Sequence, residues 1–145
     1  MDRPAKILSI EDEASLRRSI VAYLEDSGYD MLEAENGRDG LEKFFKEKPD
    51  VVLCDLRMPE IDGLTVLAQV RDFSPDTPFI IVSGTGDMHD AVEALKLGAW
   101  DFITKPIQDM EVLEHSVARA LIQVRLMAEN REYQAQLEST NPNPI

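Results

Sequence analysis

The sequence predicts an α/β protein: a doubly wound sheet of five parallel strands, helices on both faces, and an extended C-terminal helix. Three observations predict it. Short apolar runs alternate with helical patterns five times along the 145 residues. The central runs, VVLCD at 51–55 and FIIVS at 79–83, are apolar at almost every position rather than every second one. That composition marks strands buried on both faces, which requires helices on each side of a parallel sheet. Chain-breaking residues (Gly28, Asn36-Gly37, Pro49-Asp50) fall between the runs, as turns between such elements require.

Taken in order, KILSI (6–10) is the first strand, and a helix over about 13–27 follows with Leu16, Ile20 and Leu24 at i, i+4 spacing. Gly28 stands where a helix stops. The second strand covers Tyr29–Ala34, and Asn36-Gly37 turns into a helix near 38–47 carrying Leu41, Phe44 and Phe45. Pro49 and Asp50 break the chain before strand 51–55; MPEIDG (58–63) is a loop, and Leu64, Leu67 and Val70 mark the next helix. Strand 79–83 leads to a helix at 87–97, and DFIT (101–104) is the fifth and weakest strand. After Pro106 a long helix begins near 109, with Leu113, Val117, Leu121 and Val124 as the stripe expected to pack on the sheet.

That last helix is expected to continue to about Leu137. Leu126, Asn130, Tyr133 and Leu137 follow a 4-3-4 spacing. It fits either a short coiled coil, through which two copies would dimerise with Asn130 fixing the register, or a solvated helical linker. The expected division is therefore a domain over 1–124 and a helical linker with a disordered, proline-containing tail over 125–145. No basic helix-turn-helix pattern, nucleotide-binding loop or second catalytic set follows. A further domain is therefore expected to be absent or truncated: the chain would either act alone through protein contacts or be the front piece of a longer protein.

Net charge is −13, from 28 acidic and 15 basic residues. Such a field repels nucleic acid and anionic membrane, and suits a metal cation or a basic partner surface. No apolar run approaches the roughly 20 residues that cross a bilayer. The start, MDRPAKILSIEDE, is too short and soon too acidic for a signal peptide, so a cytoplasmic location is expected. The single cysteine, Cys54, excludes an internal disulfide and reads as a small buried hydrophobe.

In doubly wound sheets the ligand site lies beyond the carboxyl ends of the strands, near the switch in strand order. The residues there are Glu11, Asp12 and Glu13 after the first strand, Asp55 after the third, Ser83 after the fourth and Lys105 after the fifth. Carboxylates from separate strands repel at one edge, and a hard divalent cation such as Mg²⁺ removes that cost. The same cation can neutralise the oxygens of a transferring phosphoryl group. A carboxylate can itself be the nucleophile, forming an aspartyl-phosphate. A hydroxyl and an ammonium suit phosphoryl oxygens. The set reads as Asp55 the acceptor, Asp12 the chief metal ligand, and Ser83 and Lys105 the phosphoryl contacts. Singly, each has a plainer use. Asp12-Glu13 could cap a helix, Asp55 could begin a turn, Ser83-Gly84 is a common loop, and Lys105 could be solvated.

Four segments resemble the motifs of response-regulator receiver domains of two-component signalling. They are ILSIEDE, VVLCDLRMPEIDGL, FIIVSGTGD and GAWDFITKP, which occur in the family's order over about residues 5–124. The resemblance implies a flavodoxin-like (CheY-like) fold and phosphorylation of Asp55 by a histidine kinase, a phosphotransfer protein or a small-molecule donor. It implies that Asp12, Asp55 and the backbone carbonyl of Arg57 hold Mg²⁺, with Glu11 acting largely through water. Ser83 and Phe102 would form the switch pair, although an aromatic on an edge strand is often only packing. Lys105–Pro106 would have a cis bond. The chain would catalyse only its own phosphoryl transfer and autodephosphorylation, and would signal to an output domain or partner protein.

Taken whole, the chain is most similar to the receiver of RssB-type regulators, which govern turnover or sequestration of the stress sigma factor sigma-S. AYLEDSGY, CDLRMPEIDGL, SGTGDMHDAVEALKLGA and LEHSVARAL carry that likeness, while receivers with DNA-binding or ATPase outputs stay open. Two rivals differ in kind. An aspartate-nucleophile phosphohydrolase of the haloacid dehalogenase type would want a second acid two residues after the first, where Arg57 stands. A constitutive docking module would need none of the site chemistry. Metal binding by His89 and His115 lacks ligand spacing; both read as surface helix residues.

Overall fold

A computed structural model describes residues 3–84 and 87–140. Five strands, β1 (Lys6–Ile10), β2 (Asp30–Ala34), β3 (Val51–Asp55), β4 (Phe79–Ser83) and β5 (Asp101–Thr104), alternate with five helices. These are α1 (Ala14–Asp26), α2 (Gly37–Glu47), α3 (Gly63–Phe73), α4 (Met88–Lys96) and α5 (Met110–Thr140). The sheet is parallel throughout, in the order β2-β1-β3-β4-β5. This is the flavodoxin-like doubly wound arrangement, with its switch point between β1 and β3.

The continuous apolar runs are explained by two cores. Leu8, Ile10, Val52, Cys54, Phe79 and Ile81 pack with Phe44, Val66, Leu67 and Ala94 of α2, α3 and α4. Ile7, Val51, Leu53, Ile80 and Val82 pack with Ile20, Leu24, Leu113, Val117 and Ala120 of α1 and α5. Successive strand residues face opposite sides, so every position of β3 and β4 is buried.

Local chemistry sets the helix ends. Asn36, Asp62 and Asp87 accept hydrogen bonds from the backbone N–H groups of Asp39, Thr65 and His89, capping α2, α3 and α4. At the end of α1, Gly28 takes φ +100°, and its N–H bonds Glu25 O while the Tyr29 N–H bonds Leu24 O. That left-handed stop is easy only for glycine.

On α2, Phe45 is 40% exposed, packing edge-on against Phe73 beside the buried Phe44. Two expectations need correction. Ala120 fills the sheet-facing position near the end of the α5 stripe, whereas Val124 lines a cleft with Pro75, Pro78 and Trp100. Neither Asp12 nor Glu13 caps α1: Glu13 is the cap residue but makes no side-chain capping bond, and its N–H donates to Glu11 Oε2. Helix α5 runs to Thr140, so Ser139 and Thr140 are helical. The expected tail at 141–145 lies outside the described residues. Past Val124, Leu126, Tyr133 and Leu137 are exposed, and Arg131 pairs with Asp76 at 2.6 Å.

Among the described residues no helix is long and apolar enough to cross a membrane. Cys54 is buried and free; burial, then the charge of Asp55, pushes its thiol pKa well up, which leaves it unreactive. His89 and His115 are both exposed, on separate helices.

Candidate active site

The carboxyl ends of β1 and β3 adjoin through the pairing of Ile10 with Cys54, so the residues that follow them share one edge at the switch point. Glu11, Asp12 and Asp55 each offer an oxygen there, all within 4.8 Å of one another. Glu11 and Asp55 are buried, and Asp12 faces solvent. Three carboxylates this close are a hard-oxygen donor set suited to a divalent cation.

Burial and then the charge of Glu11 raise the Asp55 pKa from 3.8 to about 7, and an Asp12 hydrogen bond adds to the rise while Lys105 opposes it. The Asp55 carboxylate is therefore strained electrostatically, and a bound cation would relieve it.

Lys105 reaches the cluster from the end of β5. Its Nζ lies 2.9 Å from Glu11 Oε1 and 3.3 Å from Asp55 Oδ2. Burial lowers its pKa, but the Glu11 hydrogen bond and the Asp55 charge outweigh this, so the net shift is upward. The lysine stays an ammonium. The Lys105–Pro106 bond is cis, as expected. Ser83 is fully buried at the end of β4, one residue beyond Val82, the neighbour of Asp55 across the sheet. Phe102 on β5 pairs with Ile81 and packs half-buried against the core that contains Ala94 of α4. Its other surroundings form a groove of about 620 Å³ with Thr104, Pro106 and Val112. Arg57 follows Asp55 by two positions, and its guanidinium pairs with Asp90 of α4.

Sequence reasoning missed three supports. Arg17 of α1 donates through Nη1 to the Glu11 carbonyl at 2.6 Å and through Nε to Glu33 at 3.1 Å. Its signal was a charge on the Ile20–Leu24 stripe, at i−3 from Ile20. Gly63 N–H donates to Leu56 O at 2.8 Å, and a Cβ at Gly63 would lie 2.3 Å from Asp55 O. The Arg57–Asp90 contact joins residues too far apart for any local pattern.

The family model for the response regulator receiver domain matches residues 7–118. Chemotaxis protein CheY of Listeria monocytogenes is 41% identical over 110 residues, 75% of this chain and 92% of that protein. Transcriptional regulatory protein GlrR of Escherichia coli is 36% identical over 121 residues, 83% of this chain. The chain spans only 27% of GlrR. A receiver domain protein from Clostridium thermocellum has a TM-score of 0.81 at 32% identity, covering 85% of this chain and 98% of its own. NtrX from Brucella abortus reaches a TM-score of 0.85 at 29% identity, covering 90% of this chain and 30% of its own.

Proposed function

The chain belongs to the response regulator receiver domain family of two-component systems, and from that premise we propose that it is a phosphorylation switch with Asp55 as the acceptor. The observation that carries this is the grouping of Glu11, Asp12 and Asp55 within 4.8 Å with Lys105 Nζ at 2.9 Å and 3.3 Å from two of them. Glu11, Asp12, Asp55 and the Arg57 carbonyl are the groups proposed to hold Mg²⁺. When bound, Mg²⁺ supplies neutralising charge for the transferring phosphoryl oxygens.

In the transfer, an ionised Asp55 oxygen attacks phosphorus and forms the acyl-phosphate bond. The bond from phosphorus to the donor's oxygen or histidine nitrogen breaks, and its electron pair leaves with the donor group. The Lys105 ammonium offsets charge on the phosphoryl oxygens, and the Ser83 hydroxyl is the neighbouring donor at the same edge. Occupation of that edge would draw Ser83 toward the phosphoryl group and let the half-buried Phe102 turn inward. The chain would perform only its own phosphorylation and dephosphorylation, in the cytoplasm, with a histidine kinase, phosphotransfer protein or small acyl phosphate as donor.

The test is intact-mass analysis after treatment with acetyl phosphate. A gain of one phosphoryl group that needs Mg²⁺ and disappears with EDTA is the expected result. No gain with any donor would leave a constitutive docking module.

Two residues give separable outcomes. Lys105→Ala should still be labelled, but on the order of 10- to 100-fold more slowly, because one charge-assisted contact to the phosphoryl group is lost. An unchanged labelling rate would remove the lysine from the mechanism. Arg17→Ala should weaken Mg²⁺ binding about tenfold, as outer supports of metal ligands do. Calorimetric titration with Mg²⁺ reads this directly, and an unchanged affinity would make Arg17 purely structural.

We further propose that residues 1–124 form the switch, and that 125–140 carry it to an output as a helical linker. The exposed Leu126, Tyr133 and Leu137 also suit a seam between two copies. The likeness of four sequence segments to RssB-type receivers favours the stress sigma factor sigma-S as partner. Binding to purified sigma-S that changes on Asp55 phosphorylation would support this; identical absence of binding in both states would discard it.

A further inference from the structure

We propose that the Arg57–Asp90 ion pair is a latch between the acceptor loop and α4, closed in the unphosphorylated protein and opened when Asp55 carries a phosphoryl group. This rests on the switch function proposed above and specifies how its signal leaves the site. Arg57 Nη2 lies 2.8 Å from Asp90 Oδ2. Arg57 belongs to the loop that follows Asp55, and Asp90 is the third residue of α4.

The two ends of the pair are unlike. The Arg57 side chain is 64% exposed and that of Asp90 only 11%. A shielded carboxylate depends on compensating positive charge, whereas an exposed guanidinium can change partners at little solvation cost. The arginine is thus the movable half and the helix holds the fixed half. Phosphorylation replaces the single charge of the Asp55 carboxylate by a phosphoryl group of about two negative charges with three strong acceptor oxygens, two residues from Arg57. Guanidinium bonds phosphoryl oxygens in bidentate fashion, at least as well as it bonds a carboxylate. The new group therefore competes for Arg57 and draws it from Asp90.

Helix α4 is placed to respond. It has nine residues and buries only Asp90 and Ala94, so little apolar contact holds it. Met88, Val92 and Leu95 are exposed along it, at the 4-3 spacing of one helix face. Opening the latch loosens the seat of α4 and alters how that apolar face is presented.

The test is amide hydrogen exchange across residues 88–96 in the full chain. Wild type, Arg57→Gln, Asp90→Asn and the double variant are compared with and without Mg²⁺ and beryllofluoride, a phosphoryl mimic. Without the mimic, each single variant should exchange roughly tenfold faster than wild type, between the values for exposed and buried pairs. The double variant should be no faster than Asp90→Asn. With the mimic, wild type should rise to the rate of Arg57→Gln. Acceleration that persists equally in both states, or that adds in the double variant, would make the pair a plain structural tie and overturn the latch. Arg57→Gln changes an exposed side chain, so it carries the test alone if Asp90→Asn folds poorly. Intact-mass analysis with acetyl phosphate separates the two claims. Wild type that gains a phosphoryl group while Arg57→Gln exchanges like wild type overturns the latch alone. Wild type that gains none overturns the switch and the latch together.

Discussion

Asp55→Asn will make the metal-free protein more stable above pH 7, while removing its capacity to be phosphorylated. The Asp55 carboxyl has its pKa raised from 3.8 to about 7 by burial and by Glu11. A raised acid binds more protons folded than unfolded between those two values, so stability falls as pH rises across that interval. Above about pH 7 the folded protein carries the whole cost. A shift of this size would correspond to roughly 4 kcal/mol, but Asp12 opens the cluster to solvent, so about half that is expected after screening. Urea unfolding in EDTA at pH 5 and pH 8 reads both effects. Wild type should lose stability between the two, and Asp55→Asn should lose much less. Mg²⁺ should then raise the stability of wild type by binding the folded state, and of the variant far less. Equal pH dependence in the two proteins would mean that Asp55 is not under electrostatic strain.

Gly63→Ala is expected to be among the most damaging single-methyl changes in the molecule. The added carbon would lie 2.3 Å from Asp55 O and 2.9 Å from Leu56 Cα. Both are backbone atoms, so no side chain can swing aside, and α3 or the end of β3 must move. A cost of about 3 kcal/mol or more follows from overpacking of this kind. Gly28→Ala gives a useful contrast. A Cβ there meets nothing within 4 Å, so only the left-handed backbone is penalised, by about 1 kcal/mol. Chemical unfolding of the two variants should rank them in that order. Gly63→Ala should also label slowly with acetyl phosphate, since the Asp55 main-chain carbonyl is what the methyl displaces. A Gly63→Ala protein as stable as wild type would contradict the close approach of α3 to the end of β3.

The strand boundaries were legible because each apolar run ends at a residue with its own reason to break it. Pro49-Asp50 precedes Val51, and Ser83-Gly84 follows Val82. The site was legible for a related reason: a parallel sheet sends every strand end to one edge, so position along the chain predicts proximity. That logic stops at the first layer of residues. Arg17 touches Glu11 through a main-chain carbonyl, which no side-chain pattern announces. Gly63 matters for the atom it lacks. Phe45 lies on α2 beside Phe44, yet its position lies beyond the sheet-facing stripe, and Phe44 with Phe73 of the neighbouring α3 covers part of it. Val124 continued the α5 stripe in the same way, but the helix there has run past the sheet and meets the turn before β4 instead.

The central claim is that Asp55 itself forms the acyl-phosphate, and one measurement tests it most directly. The protein is treated with acetyl phosphate and Mg²⁺, reduced with borohydride and mapped by peptide mass spectrometry. Hydride reduction of an aspartyl-phosphate leaves homoserine at the modified position. Homoserine at position 55 and nowhere else is the predicted result. Reduction at Glu11 or Asp12, or a labelled protein with Asp55 intact, would contradict it.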